Sequence, residues 1–195
     1  MSGRIVAVRE PIWWGAVGAI AVLSSMHTTI AFATIYLAQG ADAWPPEETP
    51  LPPVWLPAAV VAVGLLALVA AIVAHRQVAE GRPARLQLGA GIVAGLTAGS
   101  VALSLADLLA LDYDHTVNAF ASAYWVNVGL HLVVAVAVVG SLLMLALRHW
   151  SSAEQVRLRN AYVATLLLSY YVAAGWVAVY GVLHVVPRLW VEGGA

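Results

Sequence analysis

Apolar residues fall along this chain in five long blocks, at about 13–37, 54–74, 86–109, 119–147 and 161–186. A bilayer crossing needs roughly 20 mostly apolar residues, and each block reaches that length. None alternates apolar and polar with period two, which excludes barrel strands. Backbone groups inside lipid must be satisfied within their own segment, so the blocks predict α-helices. The breaks between them are sharp. Residues 39–53 hold Gly40, Pro45, Pro46, Pro50, Pro52 and Pro53; the second break carries Gly81 and Pro83; the third is acidic; the fourth is the polar run 151–160. The pattern predicts an all-α polytopic membrane protein, a single five-helix domain over residues 1–195.

Charge adds a direction. All nine basic residues are arginines, and eight of them (Arg4, Arg9, Arg76, Arg82, Arg85, Arg148, Arg157 and Arg159) sit at the N-terminus or in alternate loops. Only Arg188 falls on the other side. An excess of basic residues marks cytoplasmic loops, so the N-terminus is expected in the cytoplasm and the C-terminus outside. Asp42, Glu47, Glu48, Asp112, Asp114 and Glu192 collect on the outer side, with Asp107 near the outer end of the third helix. Tryptophans favour the headgroup level: Trp13, Trp14, Trp55 and Trp150 flank helices, and Trp44 and Trp190 lie at the outer side. Trp176 falls inside the fifth helix and needs packing or a partner. Ala31-Phe32-Ala33 resembles a signal-peptide cleavage site, but the apolar stretch before it is too long for that reading.

Composition narrows the chemistry. With 62% hydrophobic and 10% charged residues and a mean hydropathy of +0.87, the chain is too apolar for a soluble enzyme. Nine basic against ten acidic residues leave no nucleic-acid footprint. The absence of cysteine excludes disulfides, thiolate metal sites and thiol nucleophiles. No phosphate loop, HExxH or intramembrane carboxylate pair is present, and no catalytic residue is expected.

Some positions stand out within the helices. Gly91, Gly95 and Gly99 form a small-residue stripe expected to receive another helix. Thr97, Ser100, Ser104 and Asp107 share one arc of the same helix, with hydroxyls able to bond back to their own backbone and Asp107 expected to reach the headgroups. His75, His115 and His149 lie at ends or in loops and are expected to be solvated. His27, about 21 Å up its helix, and His131, about 24 Å above the inner end of its own, share a depth. Asn127 can meet His131 on the helix surface, while Ser24 and Thr28 are local partners for His27. Two histidines at one level also raise an axial haem b pair.

Three runs resemble subunit III of the haem-copper oxidases in its five-helix bacterial form. The first is Leu23-Ser24-Ser25-Met26-His27 through Ala31-Phe32-Ala33-Thr34-Ile35-Tyr36-Leu37, then Trp44-Pro45-Pro46. The second is Asn118-Ala-Phe-Ala-Ser122-Ala-Tyr124-Trp-Val-Asn-Val-Gly129-Leu-His131. It is similar, without a gap, to the family run Asn-x-Tyr-Gly-Ser-x-Phe-Tyr-x-x-x-Gly-Phe-His. The third is Ser169-Tyr170-Tyr171 through Trp176 and Leu183. The departures are equally specific. A family glutamate falls near Met26, a second histidine on Val134, and a His and an Asp on Val172 and Gly175; for a carboxylate late in helix 3, Ser104 or Asp107 stands in. The resemblance implies a non-catalytic subunit in a bacterial inner membrane. It would pack against catalytic subunit I and bind structural phospholipid, with haem and copper held by partner chains and no cofactor of its own. The missing acids narrow that role to packing and lipid binding. Trp44, Trp55, Arg76, Arg82 and Arg85 are the expected lipid-headgroup contacts, and Asn127, His131 and Asp107 the buried polar anchors. Alternatives are an accessory subunit of a nitric oxide reductase and a haem b anchor using His27 and His131. A small transporter is disfavoured by the lack of an internal repeat.

Overall fold

A computed structural model describes residues 11–46, 49–50, 52–78, 82–149 and 155–193. Arg4, Arg9, Glu47, Glu48, Gly81, Trp150 and 151–154 lie outside the described residues, as do the side chains of Trp190 and Glu192. The five expected helices are present, and no strand occurs among the described residues. They are α1 (Pro11–Gln39), α2 (Trp55–Gln77), α3 (Pro83–Leu109), α4 (Ala119–Leu147) and α5 (Gln155–Tyr180). A π-helical turn, Gly181–Val185, joins α5 to a short α6, Val186–Gly193.

Local chemistry explains the starts. Proline opens α3, where its missing N–H is not needed. Asn118 caps α4, accepting the Ala121 N–H at 2.9 Å. α5 begins at Gln155, six residues before the expected 161, because the polar run carries good helix formers such as Arg157 and Arg159. The continuous helical span Gln155–Leu189 has 35 residues. At 1.5 Å per residue that is about 52 Å, well beyond the ~30 Å hydrocarbon core, so its polar first turns stand clear of the apolar zone.

α2, α3, α4 and α5 close a ring in which each helix packs on the next and α5 returns to α2; α1 lies outside it, in the groove between α4 and α5. Successive helices run antiparallel: Ala74 and Val63 of α2 meet Gly89 and Gly99 of α3, and Asp107 near the end of α3 meets Tyr124 near the start of α4. The outer surface is apolar, with Val22, Phe32, Leu66, Val69, Val133 and Met144 exposed. Such a face has nothing to gain by hiding from lipid tails. α1 buries only Ala16, Thr34 and Ala38.

The ring closes on small residues, but not on the stripe expected from spacing. A methyl group added at Gly95 would meet nothing within 4 Å, and at Gly91 and Gly99 only Ala146 at 4.0 Å and Val63 at 3.6 Å. Residues four apart advance about 40° around a helix, so the stripe drifts across α3 from its α4 side to its α2 side. The chain's own helices come closest elsewhere. At Gly89 an added Cβ would lie 2.7 Å from the Tyr162 hydroxyl and 3.1 Å from Ala74 Cβ, and at Gly64 it would lie 3.1 Å from Trp176 Cδ1. These glycines, with Ala67, Ala71, Ala74, Ala90 and Ala94, let α2 meet α3 and α5.

Gly89→Ala and Gly95→Ala should therefore part company. Gly95→Ala is expected to be neutral or to stabilise by up to about 1 kcal/mol through helix propensity. Gly89→Ala is expected to cost about 1–3 kcal/mol through overpacking. Thermal unfolding of both variants in one detergent measures the difference.

Candidate functional site

Two clusters of polar side chains occupy the interior, and α4 carries the centre of each. Tyr124 and His131 are seven residues apart on one face, about 10 Å along the axis, with Asn127 between them.

The mid-depth cluster joins α1, α4 and α5. His131 is fully buried. Its Nε2 lies 2.9 Å from the Val172 carbonyl and its Nδ1 3.3 Å from His27 Nε2. The Tyr171 hydroxyl lies 2.7 Å from His27 Nδ1. Hydrogen-bond chemistry assigns the His131 proton. A carbonyl only accepts, so His131 Nε2 carries a proton and Nδ1 of the neutral ring accepts. At His27 two settings compete: a proton on Nε2 serves His131 and lets Nδ1 accept the Tyr171 hydroxyl, whereas the Leu23 carbonyl, 3.0 Å from Nδ1, calls for the proton there. The chain of bonds ends on a backbone carbonyl, so it is a tie between helices rather than a through-route. Gly175 makes room for it: an added Cβ there would overlap the His131 ring. Trp176 packs edge-on to that ring with centroids 4.2 Å apart, so packing accounts for its place within the span. Beside the cluster is a cavity of about 280 Å³, lined by Ser24, His27, Asn127, Tyr171 and Gly175 among others.

This geometry does not fit a haem between His27 and His131. Both nitrogens of His131 are engaged by protein, and the two rings bond directly with centroids 5.3 Å apart. Axial ligation needs a free nitrogen from each ring and a macrocycle between them. Among the described residues no group of three or more His, Cys, Asp or Glu side chains could hold a metal ion. The expected partners differ too. Asn127 does not meet His131 but donates to Thr34 Oγ1 at 3.1 Å and to the Ala123 carbonyl at 2.8 Å. His27 bonds across helices to Tyr171 and His131, with the Leu23 carbonyl 3.0 Å from its Nδ1.

The second cluster lies where α3, α4 and the π turn meet. Asp107 is buried, not reaching for headgroups, and accepts the Tyr124 hydroxyl. That hydroxyl has one proton to give, so His184 Nε2, at 3.2 Å, donates to Tyr124. His184 Nδ1 is buried without a partner, and as the bare nitrogen of this tautomer it is an acceptor. The π turn carries His184, whose ring stacks on Tyr180. Such insertions recur at functional sites. Arg188 secures the helix beyond it, donating to the His184 carbonyl at 2.7 Å and the Pro52 carbonyl at 2.9 Å. On α3, Thr97 and Ser100 bond back to the carbonyls of Val93 and Thr97, both at 2.8 Å.

At the helix ends the expectations divide. Trp55 is 68% exposed, as an interfacial indole should be, but Trp44 is buried against Phe120. Arg76, Arg82 and Arg85 are exposed. His75 is not simply solvated, because its Nδ1 lies 2.8 Å from the Tyr170 hydroxyl. In the α3–α4 loop, hydrogen bonds from the Thr116 backbone and side chain hold the Asp114 carboxyl below its usual range. Ser122 closes that loop, donating to the His115 carbonyl at 2.6 Å. The sequence reading gave no role to Tyr124, Tyr171, Thr34 or His184. Only the Tyr124–Asn127–His131 spacing on α4 offered a signal for one of them.

Five apolar helices with polar groups turned inward make this a multi-pass α-helical membrane protein. No family model matches the chain, and no curated protein matches it.

The Asp107–Tyr124 pair yields a test with a sign. Tyr124→Phe strands a buried carboxyl group and should cost about 1–3 kcal/mol, whereas Tyr124→Phe combined with Asp107→Leu should recover much of that loss. Reversible unfolding in detergent, read by helical circular dichroism, compares the two.

Proposed function

We propose that this chain is a non-catalytic, subunit III-like component of a respiratory haem-copper oxidase in a bacterial inner membrane. It packs against the catalytic subunit and binds structural phospholipid. The observation that carries the reading is the role of the residues in the Asn118–His131 run. Asn118 caps α4 and donates to Thr49 Oγ1 at 2.6 Å. Ser122 ties down the loop before the helix, and His131 joins three helices. Three of the matched positions, Asn118, Ser122 and His131, are thus joints of this bundle, while a side chain added at Gly129 would meet nothing within 4 Å. The inward-turned, mutually bonded polar groups and the apolar exterior also suit a packing subunit.

Lipid binding has its own support. A groove of about 390 Å³ between α2 and α3 is apolar along Ala70, Val73, Leu88 and Ile92 and carries Gln77 and Arg85 at one end. An acyl chain along the groove would bring a phosphate to the arginine. Trp55 lies at the opposite end of α2, at the other interface.

The partner is tested by tagging the chain in its native membrane and purifying it in mild detergent. The expected companion is a large multi-span subunit with haem absorption and bound copper. Purification alone, or with a transport protein, overturns the reading; a companion with non-haem iron in place of copper moves it to nitric oxide reduction. The proposed orientation, N-terminus inside, is tested with single cysteines, for which a chain lacking cysteine is well suited. Thr116→Cys is expected to react with an impermeant maleimide in intact cells, and Arg82→Cys only after lysis.

A further inference from the structure

The cavity beside His27 differs from a lipid groove in its depth. His27 is sixteen residues from Pro11 and twelve from Gln39, so at 1.5 Å per residue it lies about 24 Å and 18 Å from the two ends of α1. Phospholipid headgroups lie at the edges of a ~30 Å core and do not reach this level. An acyl chain would reach it but would leave polar groups without partners. Asn127 lines the cavity and is only 2% exposed. Both hydrogen bonds it makes use its amide nitrogen, and Oδ1 accepts none from the described residues. Ser24 and Thr28 supply hydroxyls on the other side.

The shape is equally specific. Exposed Thr28, Ala174 and Ala178 form a mouth toward the bilayer, and Gly175 and Ala31 leave the walls flat. Asn127 is tied to Thr34, two turns along α1 from His27, so its amide stands toward one end of the slot and the hydroxyls of Ser24 and Thr28 toward the other, with alanine and glycine between. A flat ring with an oxygen at each end presents a polar atom to both. A volume of about 280 Å³ is just below the ~300–1,000 Å³ of sites that enclose whole small molecules. It suits a head group whose tail stays in the membrane.

We infer that this cavity binds the head group of a lipid-soluble quinone or quinol, entering sideways from the bilayer between α1 and α5. A quinol hydroxyl donates to Asn127 Oδ1, and the oxygen at the far end accepts from the hydroxyls near His27. The inference concerns this chain alone and does not rest on the oxidase reading.

The test uses the full chain in phosphatidylcholine nanodiscs and a photoreactive azido-benzoquinone with a decyl tail, its attachment mapped by peptide mass spectrometry. Saturable labelling is expected within 24–31 and 171–182. It should be competed by decyl-benzoquinone but not by decylbenzene. Asn127→Leu should weaken binding about tenfold. Ala178→Phe, at an exposed position and so compatible with folding, should weaken it at least as much while elution and melting temperature are unchanged. Unsaturable labelling, or labelling unaffected by Ala178→Phe, overturns the proposal. Equal competition by decylbenzene also overturns it and leaves an apolar-chain groove only.

Discussion

A polar side chain inside a bilayer has no water to turn to, and in this bundle that constraint falls on His131. Its two ring nitrogens reach Val172 on α5 and His27 on α1, so one residue of α4 ties three helices at mid-depth. Lipid tails are as apolar as the helix surfaces, so burial of apolar area does little to hold α1 against the ring. α1 buries few residues and presents an apolar face nearly all round. Its specific links are the His27 bonds to His131 and Tyr171 and the Asn127–Thr34 bond. Such bonds average about 0.6 kcal/mol in membrane bundles, and their directionality, more than their strength, sets where α1 docks.

Space for those bonds comes from missing side chains. Gly175 admits the His131 ring, Gly64 admits Trp176 behind it, and Gly89 admits Tyr162. The large buried rings and the glycines are complementary parts of one packing solution. Toward the other end, the π turn places His184 on Tyr124 and completes a second tie at Asp107. Between the two ties, α3 carries hydroxyls that close on their own backbone and ask nothing of a neighbour. The interior polarity is therefore concentrated at helix junctions, and in the slot beside His27 polar groups face open space.

Much of this architecture is legible from residue type alone, because crossing a bilayer is a one-dimensional requirement. Five apolar blocks and their proline-rich and charged breaks are properties of short segments, and they reappear within a few residues of where they are expected. The difference at the start of α5 arises because helix formation continues past the apolar block wherever good helix formers follow. The shared depth of His27 and His131 was also legible, since rise per residue is a fixed geometry.

Rotation about each helix axis was not legible. Apart from the Thr97, Ser100, Ser104 and Asp107 arc of α3, which is buried, the helices are apolar on nearly every side, so no polar face indicates which way a residue points. That is why Gly91, Gly95 and Gly99 look like a seam and yet drift off the contact, while Gly89, Gly64 and Gly175 receive the rings. It is also why Asp107 turns inward to Tyr124, Trp44 packs on Phe120, and Asn127 chooses Thr34 over its neighbour His131. The sequence by itself determined the five apolar spans and the approximate depth of His27 and His131, though not the early start of α5, the π turn or α6. Only the tertiary structure decided which polar groups meet, because partners in a membrane bundle are selected by rotation and close approach between helices, and neither is written in the order of residues along a single one.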